Sequence, residues 1–471
     1  MNKVLSLPTL VSDIRFWIVL FFLLRLYGIT FPPLEVGHNW RQTDGLMIAR
    51  NFYERDANIF YPRVDVGGEK TGIVGSEFPI LNYIIYVFAL VFGYEHWYGR
   101  LIVLLSSCIG TYFFHKLILK YFGEQPAFNG TVILLVSLWF SYSRKIIPDV
   151  FALSLCLVGI YQAVTYLESG KFWKLLLCFL LCALGCLAKI SAATLLTVLF
   201  FPLLSRSIPL SRKILLSFAS GGILLVVCWW YFIWVPYLNE TYGLGDHFFM
   251  GLPLKEGIRR ILESWPPMLK RFYDTPMKYT GFAAFLFAII LLVRNRQWLA
   301  VGIFLLPFCS FLIILVKTGT SVIGDTYYVL TIIPPMAFVT GYGLSYIGNK
   351  RLVAFILLVV SVENIAAQIY DFRIREPFRS LQNLEGIMDQ VSQRDDLILT
   401  TGLTHDPTVM YFAHRRGWVA SEQMIKDSSF IATVRGHGCK YILITKKHYG
   451  DFTLDMPVLH DSEYFKIYRL N

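Results

Sequence analysis

The sequence contains little charge: only 16% of its 471 residues are Asp, Glu, Lys or Arg, whereas 55% are hydrophobic. Soluble domains carry about 25% charged residues, so this composition excludes an ordinary soluble fold. The formal net charge of +11 does not indicate nucleic-acid binding, because the Lys and Arg residues lie between apolar runs and form no basic module. We therefore expect a membrane protein with no nucleic-acid partner.

Cysteine is nearly absent from the polar part of the sequence, where Cys439 stands alone, so a disulfide framework is excluded. Cys178, Cys182 and Cys186 repeat every four residues within an apolar run that contains no His, Asp or Glu. A lipid-facing or packing stripe is therefore favoured over a metal site, and no metal motif is visible. The first 30 residues lack a small-residue cleavage site, which indicates an uncleaved first span.

Long apolar runs recur over the first 370 residues, and a helix that crosses a bilayer needs about 20 of them. We predict about eleven spans, near 14–30, 101–119, 128–146, 150–167, 172–188, 190–205, 213–235, 279–293, 298–316, 326–347 and 352–369. A further run, 79–97, is predicted to be a juxtamembrane or re-entrant helix, because every cytoplasmic turn is then basic, as the positive-inside rule requires. These turns contain Lys116, Lys120, Lys171, Lys174, Arg206, Arg212, Lys213, Arg294, Arg296, Lys350 and Arg351.

This topology gives a transmembrane domain, 1–370, with a long first outer loop at 31–99, and places the C-terminal part of the chain outside. After residue 370 the apolar density drops, and strand-like runs at 397–400, 441–445 and 465–468 alternate with helical stretches at 407–414 and 421–434. We predict a polytopic α-helical membrane protein with a small extracytoplasmic α/β domain at 371–471.

Polar residues that the topology places on the outer face are the candidates for chemistry: Glu35, His38, Arg41, Asp44, Arg50, Glu77, Arg100, Asp149 and Lys189. Lys189 ends an apolar run, where snorkelling to the headgroups and a functional role are equal alternatives; acids from two other loops favour function. Arg41 and Asp44 lie one helical turn apart, and an isolated pair of this kind is more often structural. A lone loop histidine such as His38 is more often solvated.

The order of these features resembles the GT-C fold glycosyltransferases, specifically the bacterial relatives of protein O-mannosyltransferases and of the lipid A aminoarabinose transferase. The resemblance covers residues 10 to about 370. It rests on Asp44 before the sequence IARNFY, on SEFPILNYIIYVFALVFGYEHWYGR, on Pro148–Asp149, on GCLAKISAATLL around Lys189, and on GDTYYVLTIIPPMA.

The chain departs from the family pattern in the first loop. The family's Asp-Glu pair would fall on Arg41 and Gln42, so Asp44 is displaced by three residues, which is close to one helical turn. Glu35 and His38 are therefore alternative bases. Glu77 occupies a position where relatives often carry a basic residue.

The resemblance implies an inverting glycosyltransferase with a polyprenyl-phosphate sugar donor and a lipid, glycan or protein acceptor, acting on the extracytoplasmic face of a bacterial inner membrane. The expected catalytic residues are Asp44, Asp149 and His38; the expected donor-phosphate ligands are Lys189, Arg100 and Arg41; the expected pocket residues are Glu77, Tyr327 and Tyr328. Asp149 either orients the acceptor or helps to hold a divalent cation, so cofactor use stays open. Tyrosines at a span end are more often an interfacial belt.

Two other functions compete with this interpretation. A transporter or flippase also places polar groups among spans, but the sequence shows no convincing internal repeat, and its ionisable residues lie at span ends. A sensor built around the C-terminal part does not explain so many spans. Glycosyl transfer is therefore the favoured hypothesis, and transport is the alternative.

Overall fold

The computed structural model of the chain describes residues 11–245, 251–403 and 406–470. These residues form two compact units. Unit 1 takes its residues from 1–29, 100–230 and 250–369, and unit 2 takes its residues from 30–99, 231–249 and 370–471. The first outer loop therefore belongs to the same unit as the C-terminal residues, and the predicted domain 371–471 is one of three chain segments in unit 2.

Unit 1 is built from apolar helices. The longer ones are Ile14–Leu26, Trp97–Phe122 (from residue 100), Glu124–Val136, Pro148–Ser169, Phe172–Ala188, Leu210–Trp229, Lys278–Arg294, Trp298–Thr318, Ile333–Leu344 and Lys350–Gln368. Shorter helices connect them: Trp139–Tyr142, Ala193–Leu196, Phe200–Leu204, Leu254–Glu263, Trp265–Tyr273 and Ser321–Gly324. Three-residue-per-turn helices occupy Ile190–Ala192, Thr197–Leu199 and Thr326–Ile332.

Within the described residues, 6 helices are long and apolar enough to cross a membrane, or 7 if Trp265–Tyr273 and Lys278–Arg294, bent by 79°, form one span. The other apolar helices are shorter. Ile14–Leu26 has 13 residues, and the helix in the predicted run 128–146 ends at Val136. Ile80–Phe92 also has 13 residues, fewer than the roughly 20 that a span needs. The count of eleven spans stays a prediction.

Small residues allow close helix packing in unit 1. A Cβ at Gly341 would lie 2.2 Å from the Gly130 nitrogen, and a Cβ at Gly159 would lie 2.3 Å from the Cys182 sulfur. Close approach of this kind lets apolar helices associate where no hydrophobic force separates protein from lipid. Cys178, Cys182 and Cys186 are buried, so the cysteine stripe packs within the protein.

Unit 2 combines helices from all three of its segments with one small sheet. The helices are Asn39–Glu54, Ile80–Phe92, Val235–Tyr242, Glu376–Arg379, Leu384–Val391, Thr408–Ala413, Glu422–Ile425, Ser428–Gly436 and Lys446–Tyr449, with three-residue-per-turn helices at Ile369–Phe372 (from residue 370) and Ser380–Asn383. The strands are β1 (Leu397–Thr401), β2 (Arg416–Ala420), β3 (Cys439–Thr445), β4 (Val458–Asp461) and β5 (Phe465–Arg469).

The sheet has the order β2-β1-β3-β5-β4. Strand β1 is parallel to β2 and β3, whereas β5 is antiparallel to β3 and β4. The predicted strands β1, β3 and β5 are confirmed; β2 and β4 were not predicted. The predicted helix at 421–434 is two helices, because Asp427 caps a new one by accepting a hydrogen bond from the Ser429 backbone N–H. Leu399, Ile442 and Tyr468 lie in the core of this region.

Candidate active site

Four predicted site residues of unit 1 come together in what we call the Lys189 cluster: Asp149, Lys189, Tyr327 and Tyr328. Asp149 lies in the first turn of the helix Pro148–Ser169, directly after a proline at the first helical position. Proline is pre-organised for that position, and the helix dipole favours a carboxylate there. Lys189 directly follows the helix Phe172–Ala188 in an extended conformation, and a new helical turn begins at Ile190.

The geometry of the Lys189 cluster is that of a buried cation among a carboxylate and two rings. The Lys189 Nζ lies 3.8 Å from the Asp149 Oδ2, and both side chains are buried. The same Nζ lies 4.9 Å from the ring centre of Tyr327 and 5.7 Å from that of Tyr328. Tyrosine faces stabilise an ammonium through their negative quadrupole. The cluster therefore keeps a positive charge beside apolar helices.

Further polar side chains of unit 1 that the sequence analysis missed lie next in the chain to Asp149. The Tyr142 hydroxyl is 2.6 Å from the Thr326 hydroxyl, and Thr326 directly precedes the two tyrosines. Lys145 is fully buried, with its Nζ 4.5 Å from the Tyr142 ring centre. These residues fell inside the run 128–146, which was counted as a span. The signal for them was the pair Arg144–Lys145, because cations within an apolar run are costly and usually functional.

Arg100, predicted to bind phosphate, has a different environment. Its side chain is fully buried in unit 1 and donates to the carbonyls of Gly28 and Ile29 at 3.3 Å. These carbonyls follow the helix Ile14–Leu26, whose last carbonyls need donors. The contacts of Arg100 therefore fit a capping role as well as a ligand role.

In unit 2 three other predicted site residues form the Arg41 cluster: Arg41, Asp44 and Glu77. Arg41 contacts the Glu77 carboxylate, and its second terminal nitrogen lies 3.4 Å from the Asp44 Oδ2. Their side chains are 8–13% exposed. The predicted pairing of Arg41 with Asp44 on one helical face is confirmed. The pairing with Glu77, 36 residues later, could not be predicted from spacing.

His38 immediately precedes the helix Asn39–Glu54 that carries the Arg41 cluster. Its backbone is in the left-handed region, with φ of 58°, which is uncommon for a residue other than glycine. Glu35, the other alternative base, is fully buried and forms an isolated antiparallel bridge with Ile374. Its bridge ties the start of the first loop to the C-terminal segment of unit 2.

The far end of the same helix carries a second ionic network, the Arg50 network. Arg50 donates to the Asp65 carboxylate at 3.1 Å and to the Tyr411 carbonyl at 2.8 Å, and its guanidinium lies 4.5 Å from the Tyr411 ring centre. Asn51 donates to the other Asp65 oxygen at 3.1 Å. Burial lowers the pKa of Arg50, but the charge of Asp65 outweighs it and the pKa is raised. The arginine of the IAR sequence thus joins the first loop to the C-terminal segment.

A histidine at the end of the helix Thr408–Ala413 makes a further link within unit 2. His414 lies 2.9 Å from the carboxylates of both Glu54 and Glu385. Burial opposes its charge, but these two contacts outweigh burial and raise the pKa of His414. The contact with His414, helped by Arg394, lowers the pKa of Glu385 to about 2. The link is therefore ionic at mildly acidic pH.

Metal binding was tested by searching for three or more His, Cys, Asp or Glu side chains that could share an ion, and no such group occurs among the residues the structure describes. The tempting pair His405 and Asp406 lies partly outside the described residues. No step below uses a metal.

Comparisons with known proteins agree on the fold. Residues 76–232 match the model of the dolichyl-phosphate-mannose-protein mannosyltransferases. The structure is similar to apo ArnT from Cupriavidus metallidurans (TM-score 0.64, 12% identity, 97% of this chain and 98% of that one) and to the same protein bound to undecaprenyl phosphate (TM-score 0.59, 13% identity, 97% and 98%). It is also similar to the oligosaccharyltransferase of Archaeoglobus fulgidus (TM-score 0.57, 11% identity, 91% and 69%).

A search of curated protein sequences found no match. The structural likeness extends over nearly the whole chain, whereas the family model covers a third of it and includes Glu77, Arg100, Asp149 and Lys189. The chain thus has the GT-C fold of ArnT and the archaeal oligosaccharyltransferase, and is related through residues 76–232 to the dolichyl-phosphate-mannose-protein mannosyltransferases.

Proposed function

We propose that the chain is an inverting glycosyltransferase that moves a sugar from a polyprenyl phosphate to an acceptor on the extracytoplasmic face of a bacterial inner membrane. The mannosyltransferase match and the ArnT structure with undecaprenyl phosphate support this proposal. The observation that carries it is the Lys189 cluster: a buried ammonium, held beside Asp149 and two tyrosine rings, at the end of an apolar helix.

Lys189 is suited to the phosphate of the donor. When the bond between sugar and phosphate breaks, negative charge grows on the phosphate, and a pre-positioned cation in a low-dielectric site stabilises that charge more than water does. Asp149 and the tyrosine rings hold the ammonium in place, 3.8 Å and 4.9 Å away respectively for Asp149 and Tyr327. Arg100 is a second, weaker candidate, since its donors face backbone carbonyls.

Asp44 is suited to act as the base. A carboxylate that accepts the proton of the acceptor's hydroxyl or amine lets that atom form the new bond at the anomeric carbon, while the bond to the phosphate oxygen breaks and the phosphate leaves with the electron pair. Attack opposite the leaving phosphate inverts the anomeric centre. Arg41 bridges Asp44 and Glu77, so we assign it to holding the base rather than to the phosphate. His38 is the alternative base.

The experiment is lipid analysis of the purified protein. Wild type and Asp44→Asn are purified in mild detergent, and the lipids that remain bound are identified by mass spectrometry. We expect Asp44→Asn to retain a polyprenyl phosphate that still carries its sugar, because transfer is blocked while binding is intact. Its mass would identify the sugar.

If neither protein retains a polyprenyl lipid, even after one is added, the transferase proposal fails. Transport of another polar substrate then becomes the hypothesis to test. If His38→Gln retains the glycosylated lipid and Asp44→Asn does not, the base is His38.

A further inference from the structure

A cavity of about 470 Å³ lies in unit 1, and none of the residues of the Lys189 cluster line it. Its volume falls within the range of pockets that hold small organic ligands, roughly 300–1,000 Å³. The wall is almost entirely apolar and includes Phe114, Leu157, Leu199, Ile303 and Phe338. An apolar cavity of this kind suits a hydrocarbon chain and offers nothing to a sugar.

The polar residues of the cavity are confined to a few positions: Tyr121, Glu168, Ser205 and Ser207. Glu168 is the acidic one, and it is not alone. Lys120 contacts one of its carboxylate oxygens, and the Tyr121 hydroxyl donates to the other at 2.5 Å. The Arg212 guanidinium donates to the Leu167 and Glu168 carbonyls at 2.9 Å and 2.6 Å.

The end of unit 1 at this polar edge is strongly basic. The turns 120–124, 168–174, 205–213 and 294–297 each contain Lys or Arg, and Glu124 and Glu168 are their only acids in the sequence. Direct contacts bring these turns together: Arg212 reaches the carbonyl of Glu168, and Phe122 packs on Tyr342, whose hydroxyl donates to Gln297 at 2.9 Å. An apolar cavity therefore opens beside a concentration of positive charge.

From this combination we propose that the cavity holds an acyl chain of an anionic glycerophospholipid, with its headgroup phosphate bound by Lys120 and Arg212. Basic side chains between helices on the positively charged side of a membrane protein recognise anionic headgroups, and each adds electrostatic attraction. The bound lipid fills the space between the helices Pro148–Ser169 and Trp298–Thr318. It acts as a structural ligand, independent of the proposed sugar transfer.

The test is native mass spectrometry of the full chain after delipidation and titration with phosphatidylglycerol or phosphatidylcholine. Val164→Trp fills the cavity, because Val164 is one of its lining residues, and Val226→Trp is the matched control on the exposed surface of Leu210–Trp229. We expect one phosphatidylglycerol per chain on wild type and Val226→Trp, binding at least ten times tighter than phosphatidylcholine, and a loss of at least tenfold for Val164→Trp.

A second pair of variants tests the headgroup. Lys120→Gln removes the cation at the cavity edge, and Lys350→Gln removes one from the turn after Ile333–Leu344. We expect Lys120→Gln to lose most of the preference for phosphatidylglycerol and Lys350→Gln to keep it. Circular dichroism spectra and melting curves of all variants establish that they fold.

Three results would overturn the proposal: equal binding of the two lipids, equal effects of Lys120→Gln and Lys350→Gln, or displacement of phosphatidylglycerol from the cavity by undecaprenyl phosphate. The last result would assign the cavity to the tail of a polyprenyl lipid instead. None of them bears on the roles of Lys189 and Asp44, so the two proposals stand or fall separately.

Discussion

The Arg50 network of unit 2 and the Lys189 cluster of unit 1 both bury a cation beside an aspartate, but their geometries differ. Arg50 makes direct hydrogen bonds of 3.1 Å and 2.8 Å, and Asn51 satisfies the second oxygen of Asp65. Lys189 lies 3.8 Å from Asp149, beyond hydrogen-bond distance, and its other neighbours in unit 1 include two tyrosine rings.

This difference separates a structural ion pair from a functional one. A buried pair that is closed by hydrogen bonds holds chain segments together, and removing one partner leaves an uncompensated charge. A looser pair flanked by rings keeps a charge in position without fixing every donor. The Arg50 network therefore explains folding of unit 2, and the Lys189 cluster is the better candidate for binding an anion.

The largest effect is expected for the two aspartates of unit 2 that pair with arginine. Asp44→Asn should lower the rate of sugar transfer by about 10²–10⁴-fold, the usual contribution of a general base, with little change in melting temperature. Asp65→Asn should lower the melting temperature instead, because it breaks the Arg50 network. Transfer assays and thermal melts on both variants measure this. An inactive but equally unstable Asp44→Asn would show that Asp44 is structural.

The next effect concerns the two cations themselves. Arg50→Met should destabilise the protein by about 3–5 kcal/mol, because it strands the buried Asp65 carboxylate. Lys189→Met keeps the aliphatic stem, so it should shift the melting temperature much less. Chemical or thermal unfolding followed by circular dichroism compares them. Equal destabilisation by the two variants would remove the distinction between the network and the cluster.

A smaller effect is expected for the tyrosine rings around Lys189. Tyr327→Leu should weaken binding of undecaprenyl phosphate by about 2–30-fold, corresponding to about 0.5–2 kcal/mol for a cation–π contact. Tyr328→Leu should have a smaller effect, because its ring centre is 5.7 Å from the Lys189 Nζ rather than 4.9 Å. Binding isotherms for both variants give the order. The reverse order would mean that the rings act by contacting the ligand.

The smallest effect is a pH dependence in unit 2. The raised pKa of His414 contributes stability that is present below its unfolded value of about 6.5 and lost as pH rises through the higher folded value. The lowered pKa of Glu385 contributes stability above about 4.3 that is lost as pH falls toward about 2. Wild type should therefore exceed His414→Asn most between about pH 4.5 and 6.5.

The size of this difference should be about 1 kcal/mol or less, because Glu54 and Glu385 are more than a third exposed and screened by solvent. Asparagine tolerates the left-handed backbone of His414, so the substitution changes mainly the charge. Thermal melts at several pH values measure it. A difference that grows above pH 7 would contradict the assigned ion pairs.

Features that depend on local sequence were predictable. Strands β1, β3 and β5 are apolar runs, and Arg41 and Asp44 share a helical face because they are three residues apart. Strand β2 has the sequence RGWVA, which contains an arginine and a glycine and no alternating pattern, so it was missed. Helix lengths in unit 1 were overestimated, because apolar composition continues across breaks such as Ser137.

Features that depend on tertiary contacts were not predictable. Lys189 meets Asp149 from 40 residues earlier and Tyr327 from 138 residues later, and no periodicity encodes those distances. The link from Arg50 to Asp65 and Tyr411 has the same character, since it joins the first loop to the C-terminal segment. Resemblance to a family directed attention to Lys189, whereas the ring contacts became visible only in the structure.

The most direct test of the central claim is the affinity of undecaprenyl phosphate for wild type, Lys189→Met and Lys278→Met, measured with the full chain in nanodiscs. Lys278 is the matched control, because it also pairs with an aspartate of unit 1, at 3.4 Å from Asp274. We predict that Lys189→Met weakens binding by about 10–100-fold, the value of one charged hydrogen bond, and that Lys278→Met leaves it unchanged. Equal affinities for wild type and Lys189→Met would contradict the assignment of Lys189 to the donor phosphate.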